Sequence, residues 1–226
     1  MELEHVKPMD IEKRSFEIIT AELEAMGIEL PEDQAPITKR CIHTSADFDY
    51  AKNMVFSDHA IEAAKKAILN GAKIVTDTNM AKSGINKIKL AMFGGEVLCF
   101  MSDADVAKAA KENGSTRAVA SMEKACDLED GMIIAIGNAP TALIRLYELI
   151  QEGKIRPALV IGVPVGFVNV EYSKELFMTQ SQVPYIIGAG RKGGSNIAAC
   201  IVNALLYQLS GVRMESPKQD QKIAGE

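Results

Sequence analysis

Histidines, strand-end carboxylates and a glycine-rich loop are the groups of this 226-residue chain that could do chemistry. The histidines are His5, His43 and His59. Imidazole titrates near neutral pH, so each is a possible proton-transfer group. His5 lies in the N-terminal segment, and His59 falls in the first turn of an expected helix, which suits a solvated surface position. His43 sits in Lys39-Arg40-Cys41-Ile42-His43-Thr44-Ser45-Ala46-Asp47, among polar groups that could hold both the imidazole and a ligand. On this ground alone, acid/base work and a structural role both stay open. No H-x-x-H or H-E-x-x-H spacing occurs, so no protein-borne metal site is expected. A serine-hydrolase elbow, G-x-S-x-G, is absent as well. Asp77 and Asp103 are carboxylates at expected strand ends with no partner that spacing alone reveals. Cys41, Cys99, Cys126 and Cys200 form no C-x-x-C pair and fall in apolar runs, which reads as buried reduced thiols.

Gly188, Gly190 and Gly193 spell G-x-G-x-x-G between an expected strand and an expected helix. That local context fits a dinucleotide site. A dinucleotide fold also needs a following strand with a ribose-binding acid, whereas here one helix and a polar stretch follow. The order Arg191-Lys192-Gly193-Gly194-Ser195 is no P-loop, because Gly-Lys-Ser/Thr is missing. The physics that remains is anion binding. Glycines expose backbone N–H groups, Ser195 can cap the helix, and a helix N-terminus favours negative charge. A plain turn into the helix is the bland alternative. Gly137-Asn138-Ala139-Pro140-Thr141 is a second such junction, with Asn138 as an expected N-cap and Pro140 in the first turn.

The elements that must position these groups follow from periodicity. Short apolar runs at 73–77, 96–101, 132–137, 158–163 and 184–188 read as strands, several of them continuously apolar as strands buried on both faces must be. Helical stretches lie at 8–26, 57–70, 85–93, 105–113, 117–126, 139–151, 170–180 and 196–209. A short helix is expected around Ile37, Cys41 and Ile42, and a turn at 47–50, while Ser57 reads as an N-cap. This alternation predicts an α/β fold: a three-layer open sheet of about five parallel strands with helices on both faces. Residues 1–210 form one domain, and the polar tail 211–226 is expected to be disordered. In such sheets ligands bind beyond the carboxyl ends of the strands.

Composition narrows the partners. Lys plus Arg number 25 against 30 Asp plus Glu, a net charge of −5, with 47% hydrophobic and 24% charged residues. The chain can therefore bury a substantial core, and bulk disorder is excluded. Mild acidity argues against nucleic acid or an anionic membrane, and 5% aromatic residues with no Trp leave little for base stacking. No apolar run reaches the ~20 residues of a membrane span. The acidic N-terminus lacks a signal-peptide core, so a cytoplasmic location is expected.

Several blocks in unbroken order resemble the precorrin-8X methylmutase family, which includes the cobalt-precorrin-8 methylmutases. They are Arg14-Ser15-Phe16 with Ile18-Ile19; Arg40 with Ile42-His43; Ile74, Asp77, Met80 and Gly84; Thr116-Arg117; Gly137 to Leu143; Pro164-Val165-Gly166-Phe167-Val168 with Ser173-Lys174; and Gly190 to Ser195. The resemblance implies an isomerase of cobalamin biosynthesis that moves a methyl group between neighbouring carbons of a corrin-precursor ring, giving (cobalt-)hydrogenobyrinate or cobyrinate. It implies no cofactor, any cobalt being carried by the substrate, and a homodimer with its site near the interface. It puts the catalytic histidine at His43 and substrate contacts at Ser15 and Arg40. Arg117, Asn138, Thr141, Gly166, Arg191, Lys192, Gly193 and Ser195 complete the expected substrate-binding set. A precorrin bears many carboxylates, which glycine-exposed amides and guanidinium groups would receive. Two positions depart from the family pattern: Tyr172 stands where many members have the Glu of Glu-Ser-Lys, leaving Glu171 one place early, and Ala189 stands where an Arg is frequent. A non-catalytic corrinoid-binding protein and a nucleotide-dependent oxidoreductase are the competing readings.

Overall fold

The computed structural model describes residues 6–180 and 182–209, so His5 and the tail 211–226 lie outside the described residues. A 3-10 turn, Pro8–Asp10, leads into α1 (Ile11–Ala25), followed by α2 (Ala35–Ser45), α3 (Tyr50–Asn53), β1 (Met54–Phe56) and α4 (Ala60–Leu69). Then come β2 (Ile74–Thr76), α5 (Asn79–Gly84), α6 (Lys87–Ala91), β3 (Val97–Leu98), α7 (Ala104–Glu112) and α8 (Arg117–Ala125). The remaining elements are β4 (Ile133–Ile136), α9 (Pro140–Gln151), β5 (Leu159–Gly162), α10 (Val170–Gln180), β6 (Tyr185–Gly188) and α11 (Ser195–Leu209).

The strand order is β1-β6-β5-β4-β2-β3, with every pairing parallel except that of β1 with β6. The five expected parallel strands are all present. A sixth, β1, adds an antiparallel edge through Met54↔Gly188 and Phe56↔Ile186. Ser57 is not the N-cap of α4. Its N–H donates to the Tyr185 carbonyl and its hydroxyl accepts from the Tyr185 N–H, so it stitches the edge strand to β6. The cap position of α4 is His59, exposed and in the left-handed conformation at φ 59°. The expected helix 85–93 is shorter than predicted, since α6 ends at Ala91, and α5 precedes it as a separate turn.

Side chains alternate between two cores, which is why the strands read as apolar throughout. Ile74, Ile133, Ala135, Leu159, Ile161 and Ile186 face the layer of α1, α2, α4, α5 and α11. Val75, Ile134, Ile136, Val160 and Ile187 face α8, α9 and α10. A sheet covered on both faces requires this two-sided burial. Cys41, Cys99 and Cys200 are buried free thiols, whereas Cys126 is only half-buried.

After β2 the chain moves outward to β3 and then returns to the other side of β2 as β4. The carboxyl ends of β2 and β4 therefore flank the point where winding reverses, the usual crevice of such sheets. Asp77 occupies it. Its Oδ1 accepts from Gly137 N–H at 2.9 Å, and its Oδ2 accepts from Asn138 and Ala139 N–H, both at 2.8 Å. Asn138 is consequently not the N-cap of α9. Ala139 holds that position without a side-chain cap, and a carboxylate from another strand supplies the acceptor. Burial pushes the Asp77 carboxyl up from its ordinary range, and the three backbone donors pull the other way. Asp77→Asn would put an amide NH₂ against one of these donors. We expect a loss of about 2–3 kcal/mol in unfolding free energy, read from urea midpoints at neutral pH.

Candidate active site

The strand ends form a connected rim. Thr78, the N-cap of α5, accepts from Ala81 N–H and shares a 2.7 Å hydroxyl contact with Ser195 at the start of α11. Asn79 donates to Ser102 beyond β3 at 2.9 Å. Thr116 caps α8 and approaches Thr141 on α9 at 3.4 Å. Arg117, Asn138 and Thr141 are thus neighbours on one sector of the rim. Arg117 and Asn138 are exposed, and Arg117 makes no ion pair with a described residue. Gly137 lies so close to Gly194 and Ser195 that a side chain there would strike their backbone, which joins this sector to the glycine-rich loop.

In that loop Gly193 runs against the Val163 carbonyl, where any Cβ would collide, and the N–H of Gly194 donates to the same carbonyl at 2.9 Å. The carbonyl of Arg191 accepts from Gly166 N–H at 3.2 Å. Arg191 lies over the Phe167 ring at 5.6 Å and pairs with Glu171 at 3.0 Å. The carboxylate displaced by one residue therefore finds the loop's own arginine. Ser195 is buried, its hydroxyl spent on Thr78. Lys192 reaches Asp47 and Asp49, and these two carboxylates hold its ammonium above the usual lysine range. Lys192 is thus a clamp between the loop and the turn that follows α2.

His43 lies on α2, one helical turn before that clamp. Its exposed ring stacks on Phe16 of α1, with centroids 5.3 Å apart and planes at 19°. Arg40 is held between Phe16 at 5.1 Å and Tyr207 at 4.8 Å and pairs with Glu12. Ser15, on the same helix as Phe16, returns its hydroxyl to the Ile11 carbonyl at 2.9 Å. The expected residues therefore fall into three groups: Ser15, Arg40 and His43 on α1 and α2; Arg117, Asn138 and Thr141 beyond β4; and Gly166 with Arg191, Lys192, Gly193 and Ser195 beyond β5 and β6. Close packing of Gly137 on the loop joins the second group to the third, and Lys192 joins the third to the first.

Arg191 and Arg40 are already paired, but with Glu171 and Glu12, which are 50% and 58% exposed. Exposed pairs contribute only about 0–1 kcal/mol. An anionic ligand can replace them at small cost. Asp103, the other strand-end carboxylate, is engaged by Lys124 at 2.7 Å.

Spacing alone did not single out Lys174. It is fully buried, and its ammonium donates to the carbonyls of Gly190 at 2.7 Å and Lys192 at 2.8 Å. A signal was present. Val170, Ser173, Lys174 and Phe177, all buried, stand at i, i+3, i+4 and i+7 of α10, so a lysine occupies the inward stripe of a helix. Phe16 was also missed as a site residue because it reads as an ordinary apolar position on α1.

Comparison with known proteins decides between the readings. Residues 10–208 match the family described as precorrin-8X methylmutase. The chain belongs to the precorrin-8X methylmutase family. It is 46% identical to the cobalt-precorrin-8 methylmutase of Priestia megaterium, covering 93% of this chain and 92% of that protein. It is 45% identical to the protein of the same name from Salmonella typhimurium, covering 90% and 96%. A crystal structure of the Thermus thermophilus precorrin-8x methyl mutase superposes with a TM-score of 0.80 at 40% identity, covering 89% of this chain and 98% of that one. The methylmutase is therefore an isomerase of cobalamin biosynthesis.

Burial lowers the Lys174 ammonium to about 8, with Glu171 opposing the shift. Unfolded lysine titrates near 10.4. Between these values the unfolded chain holds more protons, so this group adds stability as pH rises from about 8 and the gain is complete above the unfolded value. Urea unfolding at pH 7.5 and pH 10 should therefore show the wild type gaining on the order of 2–3 kcal/mol relative to Lys174→Met.

Proposed function

We propose that this methylmutase acts on cobalt-precorrin-8, with His43 transferring a proton to or from the macrocycle as the methyl group migrates. The observation that carries this reading is His43 itself: an exposed imidazole held flat against Phe16, beside a guanidinium, one turn from the clamp that leads to the glycine-rich loop. Moving a methyl group within one molecule requires orientation and one positioned proton carrier, with no net change of oxidation state. No nucleotide or redox cofactor is needed, and cobalt enters as part of the substrate. Preference for the cobalt form rests on the relatives that are 41–46% identical, all named cobalt-precorrin-8 methylmutases.

In this reading Arg40, Arg117 and Arg191 receive substrate carboxylates. Ser15, Asn138, Thr141, Gly166 and Gly193 complete the contacts, while Lys192 and Ser195 act by holding the loop in place. The assembly is a homodimer with the site near its interface. Phe167 and Val168, 82% and 79% exposed at the rim, support that arrangement, because large apolar side chains side by side in water mark contact surfaces. Among the described residues no helix is long and apolar enough to cross a membrane, and a cytoplasmic location belongs to the same reading.

Single-turnover conversion of cobalt-precorrin-8 and metal-free precorrin-8, followed by visible absorption and NMR, tests the substrate. Cobalt-precorrin-8 should turn over faster, and the reverse order would reject the preference. His43→Ala and His43→Asn should slow migration by roughly 10²–10⁴-fold while the protein stays folded and binds corrinoid. Near-normal turnover in either variant would remove His43 from the chemistry.

Arg40→Ala and Arg191→Ala should weaken substrate binding roughly tenfold to hundredfold, as loss of a charge-assisted hydrogen bond implies. Titration of the visible spectrum reads this directly, and unchanged affinity in both variants would take these residues out of the site.

A further inference from the structure

We propose that Lys174 is a positioning residue that turns the glycine-rich loop into a carboxylate receptor by holding its peptides in one orientation. The inference deepens the reading above and rests on it, since it presumes that the loop meets the substrate.

Lys174 grips two carbonyls that flank Arg191, those of Gly190 and Lys192. No peptide bond in the described chain is cis, and a trans peptide points its C=O and N–H to opposite sides. Drawing the Gly190 carbonyl inward therefore turns the Arg191 N–H outward. Drawing the Lys192 carbonyl inward does the same to the Gly193 N–H. Neither N–H donates to any described group, in contrast to the N–H groups of Ala189 and Gly194, which are satisfied by Asn53 and Val163. Two amides left without a protein acceptor on one short segment, two residues apart, are donors that a carboxylate can take up. The Arg191 guanidinium belongs to the same short segment.

The backbone permits this geometry only with glycine at its hinges. Gly190 has φ +73°, and Gly193 has no room for a Cβ beside Val163. These glycines also make the loop easy to distort, so its peptide orientation depends on an outside anchor. A buried ammonium is a costly anchor, because its solvation must be replaced by protein acceptors. Met or Leu would fill the inward stripe of α10 at lower cost. What a lysine adds is a multidentate donor for carbonyls that would otherwise be free to turn toward solvent.

The test is Lys174→Met, an uncharged side chain of similar length, compared with wild type and Arg191→Ala in steady-state turnover of the preferred precorrin. Lys174→Met should raise KM about tenfold and leave kcat within about threefold, because carboxylate reception is lost while His43 is untouched. Lys174→Gln, whose shorter uncharged side chain still carries an NH₂ donor for the carbonyls, should recover part of the affinity and is the variant of use if the Met protein does not fold. Unchanged KM in Lys174→Met (or, where the Met protein does not fold, in Lys174→Gln) alongside a raised KM in Arg191→Ala overturns the role of Lys174 alone. Unchanged KM in all three overturns the placement of the site at this loop, and the role of Lys174 with it. A fall in kcat with KM unchanged would also overturn the proposal.

Discussion

A single buried carboxylate organises the carboxyl edge of the sheet. Asp77 ends β2 and accepts from three consecutive N–H groups at the start of α9, across the point where the winding of the sheet reverses. Two of these donors precede the helix and the third is its N-cap, and three hydrogen bonds stabilise the carboxylate where hydrocarbon burial alone would expel it. The consequence for function is indirect. The strand-to-helix junction before α9 is the obvious place for an anionic ligand in such a sheet, but Asp77 already takes the amides of its loop. Its amides point inward, and the Asn138 side chain is left facing solvent. Anion recognition must then come from side chains on the rim and from the other glycine-rich junction, beyond β6.

That second junction is built on the opposite principle. At β4–α9 a carboxylate gathers N–H groups inward, while at β6–α11 the Lys174 ammonium gathers carbonyls inward. The two buried charges have opposite sign and opposite effect on the peptides they hold. The first closes the loop amides of residues 137–139, and the second leaves amides open. Contact of Gly137 with Gly194 and Ser195 locks the sealed junction against the open one.

Much of this was legible in the sequence because two-sided burial leaves a plain mark. Runs such as Ile133–Ile136 and Leu159–Gly162 are apolar at every position, and helix-length stretches separate them. The edge strand β1 was not legible. Three half-buried residues between two helices have no periodicity, and only their pairing with β6 makes them a strand. Ser57 and Asn138 fit N-cap statistics, yet long-range partners decided both cases: Tyr185 claimed the serine, and Asp77 claimed the asparagine's backbone. The basic loop residues were visible as charges but not as pairs. Sequence order could not reveal that Lys192 meets Asp47 and Asp49 from 145 and 143 residues away.

The same long-range pairing explains how one histidine can serve a site assembled mostly elsewhere. α2 carries His43, and it is located by two independent attachments. Along its length it packs on α11, where Thr44 donates to Cys200 at 3.2 Å and Cys41 is buried. α11 in turn begins at Ser195, which is bonded to Thr78 on the rim. At its carboxyl end the turn 46–49 is held by Lys192, which belongs to the loop that Lys174 orients. Both routes start from the carboxyl edge of the sheet and converge on the same helix. A disturbance of the loop therefore reaches only the turn after α2 through the exposed clamp, whereas the α11 route holds α2 itself by helix packing. Because exposed ion pairs are weak, the buried route fixes where the imidazole stands, and the clamp adjusts the turn beside it when an anionic macrocycle competes for the loop.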